Sequence, residues 1–338
     1  MTEHARQDLQ QPAGWPGRPT DNQGRSGTHV RTAPSTPAVS APRRTSRRRL
    51  AAAAAAAIAA GTAFIVWEAV QAPALAATPD PLVCQAVDGA VPTAERLGQL
   101  AAAADRDTPP ATSAPTGVQL EHLRIEDWHL FSQITGGTTT SAVVQAERQS
   151  WRAADNSGRV TVRYHQPMFR SGNDRRAWQD NGSPGADTDP RTEDYPPGAF
   201  PATWADRPPT ALLDRWLRRN HAANAWPAAA ATAIADLLRE RVLASHERAA
   251  VIRLLARLPG VEFTGAVADR AGRRGEAFST VSDYSGLPTR YTFVLDPTTG
   301  RFLANEQTLT TTARRLNVSV PAVIGYETYL VADQVMAR

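Results

Sequence analysis

Five histidines lie beyond residue 117: His122, His129, His165, His221 and His246. Histidine titrates nearest neutrality and is the commonest metal ligand, so their spacing is the first place to look for chemistry. His122 and His129 stand seven apart in a segment that reads as a strand, which places them on opposite faces and rules out a local pair. The sequence contains no His-x-His, His-Glu-x-x-His or Cys-x-x-Cys, so no metal-ligand spacing is present. Neither the Gly-x-Ser-x-Gly nucleophile turn nor a phosphate-cradling Gly-Lys-Ser/Thr occurs. Glu126-Asp127 and Asp187-Thr188-Asp189 are the paired acids. General acid-base work needs such pairs, but these read as solvent-facing surface, and the second lacks the further oxygen ligands that calcium requires. No catalytic residue, cofactor or metal is therefore assigned.

Six of the eight tryptophans, Trp128, Trp151, Trp178, Trp204, Trp216 and Trp226, fall in the same region. Core packing is one role for them. Lining an apolar groove for a lipid or a peptide is the other, with Trp128, Trp151 and Trp216 as its candidate residues.

The elements around these residues divide the chain into four. Residues 1–49 are rich in Pro, Gly, Ser, Thr, Gln and Arg with few aliphatic residues, and read as a disordered tail. The tail carries nine arginines against Glu3, Asp8 and Asp21, a net +6; the remaining 28 arginines meet 30 acids, a net −2, which accounts for the overall +4. The basicity thus belongs to the tail, and a nucleic-acid partner is not implied for the near-neutral remainder. Residues 50–70 follow, uncharged over the 18 residues from Leu50 to Trp67. At a rise of about 1.5 Å per residue this just spans a hydrocarbon core. Arg47, Arg48 and Arg49 stand where the positive-inside rule puts the cytoplasm, and Trp67 where an interfacial aromatic belongs. The expectation is one transmembrane helix, a cytoplasmic N-terminus and an extracytoplasmic C-terminal domain at the cell membrane. Two rivals are a signal peptide cleaved after Ala74-Leu75-Ala76 and a twin-arginine signal at Ser46-Arg47-Arg48-Arg49-Leu50. Residues 71–117 read as a proline-rich linker with one short helix, Ala94 to Ala104, capped by Thr93. The single cysteine, Cys84, excludes an internal disulfide.

Residues 118–338 read as strands, then helices, then strands. Gln119–Glu126 alternates polar and apolar residues, and Gln145–Ala153 against Arg159–His165 forms a hairpin around Asp155-Asn156-Ser157-Gly158. Residues 171–208 read as a long irregular stretch. Helical spacing then predicts a helix from Ala211 to Leu217, a second from Ala228 to Leu243 and a third from His246 to Leu258, capped by Ser245 and stopped by Pro259-Gly260. Strands are expected over Val261–Asp269, Glu276–Asp283, Thr289–Leu295, Arg301–Thr311 and Ala322–Ala332. This order is an α+β pattern, a curved antiparallel sheet packed on a central helical block.

Three strings carry a resemblance: Leu254-Leu255-Ala256-Arg257-Leu258-Pro259-Gly260-Val261; Gly265-x-Val267-x-Asp269-Arg270-x-Gly272-Arg273-x-Gly275; and Phe293-x-Leu295-Asp296-Pro297-Thr298-Thr299-Gly300. They resemble a largely uncharacterised actinobacterial family of single-pass membrane proteins, often encoded beside extracytoplasmic-function (ECF) sigma factors. The outer domain is also similar to the LolA and RseB lipoprotein-carrier fold, a half-open antiparallel barrel closed by helices. The resemblance implies a membrane-anchored binding or sensor protein rather than an enzyme, with a regulatory protein partner and a role in sigma-factor signalling. The alternative it implies is a carrier of lipid, lipoprotein or another apolar ligand.

Overall fold

A computed structural model of the chain describes residues 78–87, 89, 91–107, 117–135, 138–180, 182, 188–221, 225–312 and 318–337. The basic tail, the apolar segment 50–70 and the residues expected to set its topology, Arg47, Arg48, Arg49 and Trp67, lie outside them. Among the described residues, no helix is long and apolar enough to cross a membrane.

The described part is an α+β fold with one large, curved, antiparallel sheet of nine strands. They are β1 (Gln119–Thr135), β2 (Thr138–Ala153), β3 (Gly158–Tyr164), β4 (Arg191–Tyr195), β5 (Glu262–Ala268), β6 (Arg274–Ser282), β7 (Thr289–Leu295), β8 (Phe302–Leu309) and β9 (Ala322–Met336). Their order is β4-β3-β2-β1-β9-β8-β7-β6-β5. Two meanders therefore meet where the first strand pairs with the last. β1 and β9 are long, and their ladder shifts register between Arg124 and Ile125, a bulge of the kind that adds local twist.

Helix α1 (Thr93–Arg106) precedes the sheet. Helices α2 (Gly172–Asp180), α3 (Leu213–Leu217), α4 (Ala230–Glu240) and α5 (Ser245–Arg257) lie between β3 and β5. One face of the sheet carries these helices. Phe278, Phe293, Leu295 and Tyr329 pack there against Ile234 and Leu237 of α4, Ile252 and Leu255 of α5, and Leu97 and Leu100 of α1. The outer face buries Trp128, Val143, Val294, Val323 and Tyr326, with Leu82 and Cys84 laid over them.

Several sequence expectations change. The 71–117 linker is in part structural. α1 belongs to the main core, and residues 82–85 cross the outer face of the sheet, from Leu82, whose amide donates to Glu306 Oε1 of β8 at 3.1 Å, to Gln85, which pairs with Ala266 of the edge strand β5. Gly265 permits that approach, because a Cβ there would stand 2.1 Å from the Gln85 carbonyl oxygen. Neither Thr93 nor Ser245 caps its helix; each is the first helical residue. Thr93 Oγ1 instead accepts from the Phe263 amide at 3.0 Å, and Ser245 Oγ donates to the Asp107 carbonyl. The stretch 171–208 holds α2 and β4. Trp178 anchors α2 in a small core with Ala142 and Val144, a contact that no local periodicity announces.

Candidate functional site

The three candidate groove tryptophans do not all lie on one surface. Trp128 lies on the outer face, stacked on Tyr326 with ring centroids 6.0 Å apart. Trp151 stands opposite His122 in the β1–β2 register and stacks on that ring, also on the outer face. Trp216 belongs to α3 and stacks on Trp204 inside the helical core. The sheet parity that puts Trp128 outward makes a groove joining it to Trp216 impossible.

A different constellation forms on the helix-bearing face, where Glu121, Leu123, Ile125, Asp127 and His129 of β1 alternate onto one side. Asp127 lies opposite Glu327 of β9, and Glu327 lies opposite Asn305 of β8. Residues directly opposite on adjacent antiparallel strands stand about 5 Å apart at Cβ, so like charges there repel. Above them, α4 carries Thr232, Asp236 and Arg239 at helical spacing on a helix otherwise made of alanine, isoleucine and leucine up to its last residue, Glu240. Arg239 reaches down to Glu327, donating from Nε to Oε1 at 2.6 Å and from Nη2 to the same oxygen. Tyr329 Oη donates to Glu327 Oε2 at 2.9 Å. Arg148 of β2 donates from Nη1 to the Arg239 carbonyl at 3.2 Å. Glu327 is thus fully engaged, whereas the donors of Arg239 that reach the sheet are spent on it rather than on Asp127.

The charges in this recess do not balance. Three carboxyl groups, Asp127, Asp236 and Glu327, surround two guanidiniums, Arg148 and Arg239, and Glu240 at the end of α4 adds a further negative charge nearby. Burial pushes the Asp127 carboxyl up to about 7, with Arg239 and Arg148 pulling it down and Glu327 pushing it further up. Burial likewise lifts Asp236 to about 6 against the pull of Arg239. His129, two residues along the same face, is driven down to about 4 by burial and by Arg239, so its ring is neutral at pH 7. Burial alone would lower the Arg239 guanidinium, but Glu327 and Asp236 hold it above its ordinary value. Asp127, His129, Arg148, Asp236 and Arg239 all keep some solvent-accessible surface although protein surrounds them closely, as groups in a recess do.

Asn305 closes the recess. It is 1 % exposed, and neither its amide nitrogen nor its amide oxygen has a hydrogen-bond partner. A buried unpaired amide costs about 1–3 kcal/mol, so this side chain offers one donor and one acceptor to whatever enters. Gly325, opposite His129, lets the ring lie close to the β9 backbone, since a Cβ there would sit 3.3 Å from His129 Nδ1. The arrangement can bind and release a proton near neutrality and can pair a polar ligand.

Of these residues, the sequence singles out only Asp127 and His129. The expectation that Asp127 lies on the solvated surface is corrected, because it faces α4. Its parity with Leu123 and Ile125 is the available sign. The expected separation of His122 and His129 onto opposite faces is what the structure has. Asp236, Arg239, Asn305 and Glu327 carry no motif; the polar stripe on α4 is the one local signal for the first two.

No protein-family model matches the chain, and no curated protein matches it significantly.

Proposed function

We propose that the folded part is an extracytoplasmic binding or sensor domain carried on a single membrane-spanning segment, and that its sensing element is the seat of α4 on the sheet. The observation that carries this reading is the recess beneath α4, where three carboxyl groups meet two guanidiniums and one carboxyl titrates near 7. A helix held to a sheet by such contacts can change its seating when a proton or a polar partner changes the charge count. The half-open barrel of the lipoprotein-carrier fold is the finer architectural reading, supported by a curved antiparallel sheet with helices on one face. The carrier role gains less support, because Phe278, Phe293 and Tyr329 fill the helix-bearing face where an apolar ligand would lie. Regulation of a sigma-factor pathway through a protein partner rests on the family resemblance.

Amide hydrogen exchange of the full chain in lipid nanodiscs, corrected for the intrinsic pH dependence, tests the seat. Residues 230–240 should exchange faster at pH 8 than at pH 5, because ionised Asp127 adds an uncompensated charge beside Glu327. Equal protection at both pH values would sink the reading. Reporter fusions before Leu50 and after Val70 test the anchor: opposite sides of the membrane are expected, and both on one side, or a mature protein starting near Ala77, would overturn it.

A further inference from the structure

A second feature stands away from the recess, where β8 and β9 part. Their ladder runs from Leu309↔Ala322 to Ala304↔Thr328 and stops, while β9 continues along β1 alone as far as Met336. A cavity of about 100 Å³ opens in the wedge between them. Arg273 stitches its mouth, donating from Nη1 to the Tyr329 carbonyl and from Nη2 to the Leu303 carbonyl, each at 2.8 Å. Arg301 enters from the turn before β8. Gly300 fixes that turn against α1, because a Cβ there would lie 2.7 Å from the Leu100 carbonyl oxygen.

The guanidiniums lining the wedge differ in how fully they are engaged. Arg241 is saturated by Glu121 and by the Trp204 and Ala205 carbonyls. Arg273 is occupied by Asp269 and the two strand carbonyls. Arg248 and Arg301 instead share one carboxylate: Arg248 Nη2 donates to Asp107 Oδ2 at 2.6 Å, and Arg301 Nε to the same oxygen at 3.2 Å. Arg301 also reaches the half-exposed rim residue Asp333 at 2.7 Å. Arg248 is 7 % exposed, and its Nε has no partner at all. A donor on a charged group left empty in a buried site demands an acceptor, and charge-assisted bonds to oxyanions are the strong ones. The cavity's volume is that of about three waters or one tetrahedral oxyanion.

We propose that this wedge is an anion site, in which Arg248 and Arg301 bind a tetrahedral oxyanion of the phosphate or sulfate class and Asp333 competes with it at the rim. The anion takes the vacant Arg248 Nε and draws Arg301 away from Asp333. It relieves the repulsion between two guanidiniums that share one carboxylate.

The test uses the full chain in detergent, titrated with inorganic phosphate against chloride at matched ionic strength and followed calorimetrically. Saturable phosphate binding is expected. Arg301→Gln should weaken it by about tenfold or more, the loss of one charge-assisted bond. Asp333→Asn should tighten it, an effect that simple loss of structure cannot give. Ala332→Glu, which places a carboxylate in the wedge without removing an arginine, should abolish it even if Arg301→Gln fails to fold. Arg257→Gln, on the exposed face of α5, should leave it unchanged. Vesicles with and without phosphatidic acid separate the sources: stronger binding to the phosphatidic acid vesicles than of free phosphate assigns the site to a headgroup, and the reverse assigns it to a free anion. Phosphate binding no better than chloride, or unaltered by Arg301→Gln and Ala332→Glu, overturns the proposal and leaves a water-filled wedge.

Discussion

Strand β1 presents two carboxylates to the helices from the same face, Glu121 and Asp127, and they are treated in opposite ways. Glu121 accepts from Arg241 Nε and Nη2 at 3.1 and 2.5 Å, from Arg207 Nη1 at 2.7 Å and from the Val242 amide at 2.9 Å. Arg207 in turn holds both carboxylate oxygens of Glu247, and Oε2 also accepts from the Ala244 amide at the start of α5. Every guanidinium nitrogen of Arg207 and Arg241 has an acceptor, so the network ties β1, the end of α4 and the start of α5 into one unit. Asp127, six residues along, faces an arginine from the same helical region, yet Arg239 is committed to Glu327. The same residue types on the same strand thus give a saturated joint in one place and a titrating recess in the other. What separates them is the local count of acids and guanidiniums, not burial alone.

Breaking the saturated joint should cost most. Glu121→Gln strands the buried Arg241 guanidinium, and unfolding by denaturant should show a loss of about 3–5 kcal/mol. A loss below ~1 kcal/mol would mean that the two regions do not differ as described. Removing the other carboxylate should do the reverse. Asp127 has an ordinary value of 3.8 in the unfolded chain and about 7 in the fold, so its contribution to stability falls as pH rises from about 4 to about 7. Asp236 acts in the same sense between about 4 and about 6. His129 acts oppositely: its contribution is present above 6.5 and is lost as pH falls towards about 4. Asp127→Asn deletes only the first effect. The variant should gain on the parent protein by on the order of 2 kcal/mol between pH 5 and pH 8 in thermal or denaturant unfolding. A constant difference across that range would show that the Asp127 carboxyl does not titrate there. The smallest effect belongs to Asn305. Asn305→Leu, similar in shape and without the unpaired amide, should stabilise by about 1 kcal/mol. A loss instead would show that the amide is bonded to a ligand or water in the recess.

Much of the fold is legible in the residues. Asp296-Pro297-Thr298-Thr299-Gly300 and the Asn156 turn set two hairpins, and β7 spans Thr289–Leu295 as expected. Helix α4 announces itself through its alanine and leucine spacing. The element that escapes is made by tertiary contact: α2, which needs Trp178 against Ala142 and Val144; α1 is expected as a helix, and only its place in the main core is hidden by its linker-like surroundings. The recess is half legible. The apolar phase of β1 switches from Leu123 and Ile125 on one face to Trp128 and Leu130 on the other, so Asp127 and His129 fall where the buried face changes. The pairing of Glu327 with Arg239 spans 88 residues of the chain, and no spacing rule reaches that far.

The most direct test of the account is a carbon-13 NMR titration of the full chain carrying carboxyl-labelled aspartate, with the Asp127 signal identified by its disappearance in Asp127→Asn. The account predicts that the Asp127 carboxyl titrates with a midpoint near 7. An Asp127 signal that titrates with the exposed aspartates near 4 would contradict it.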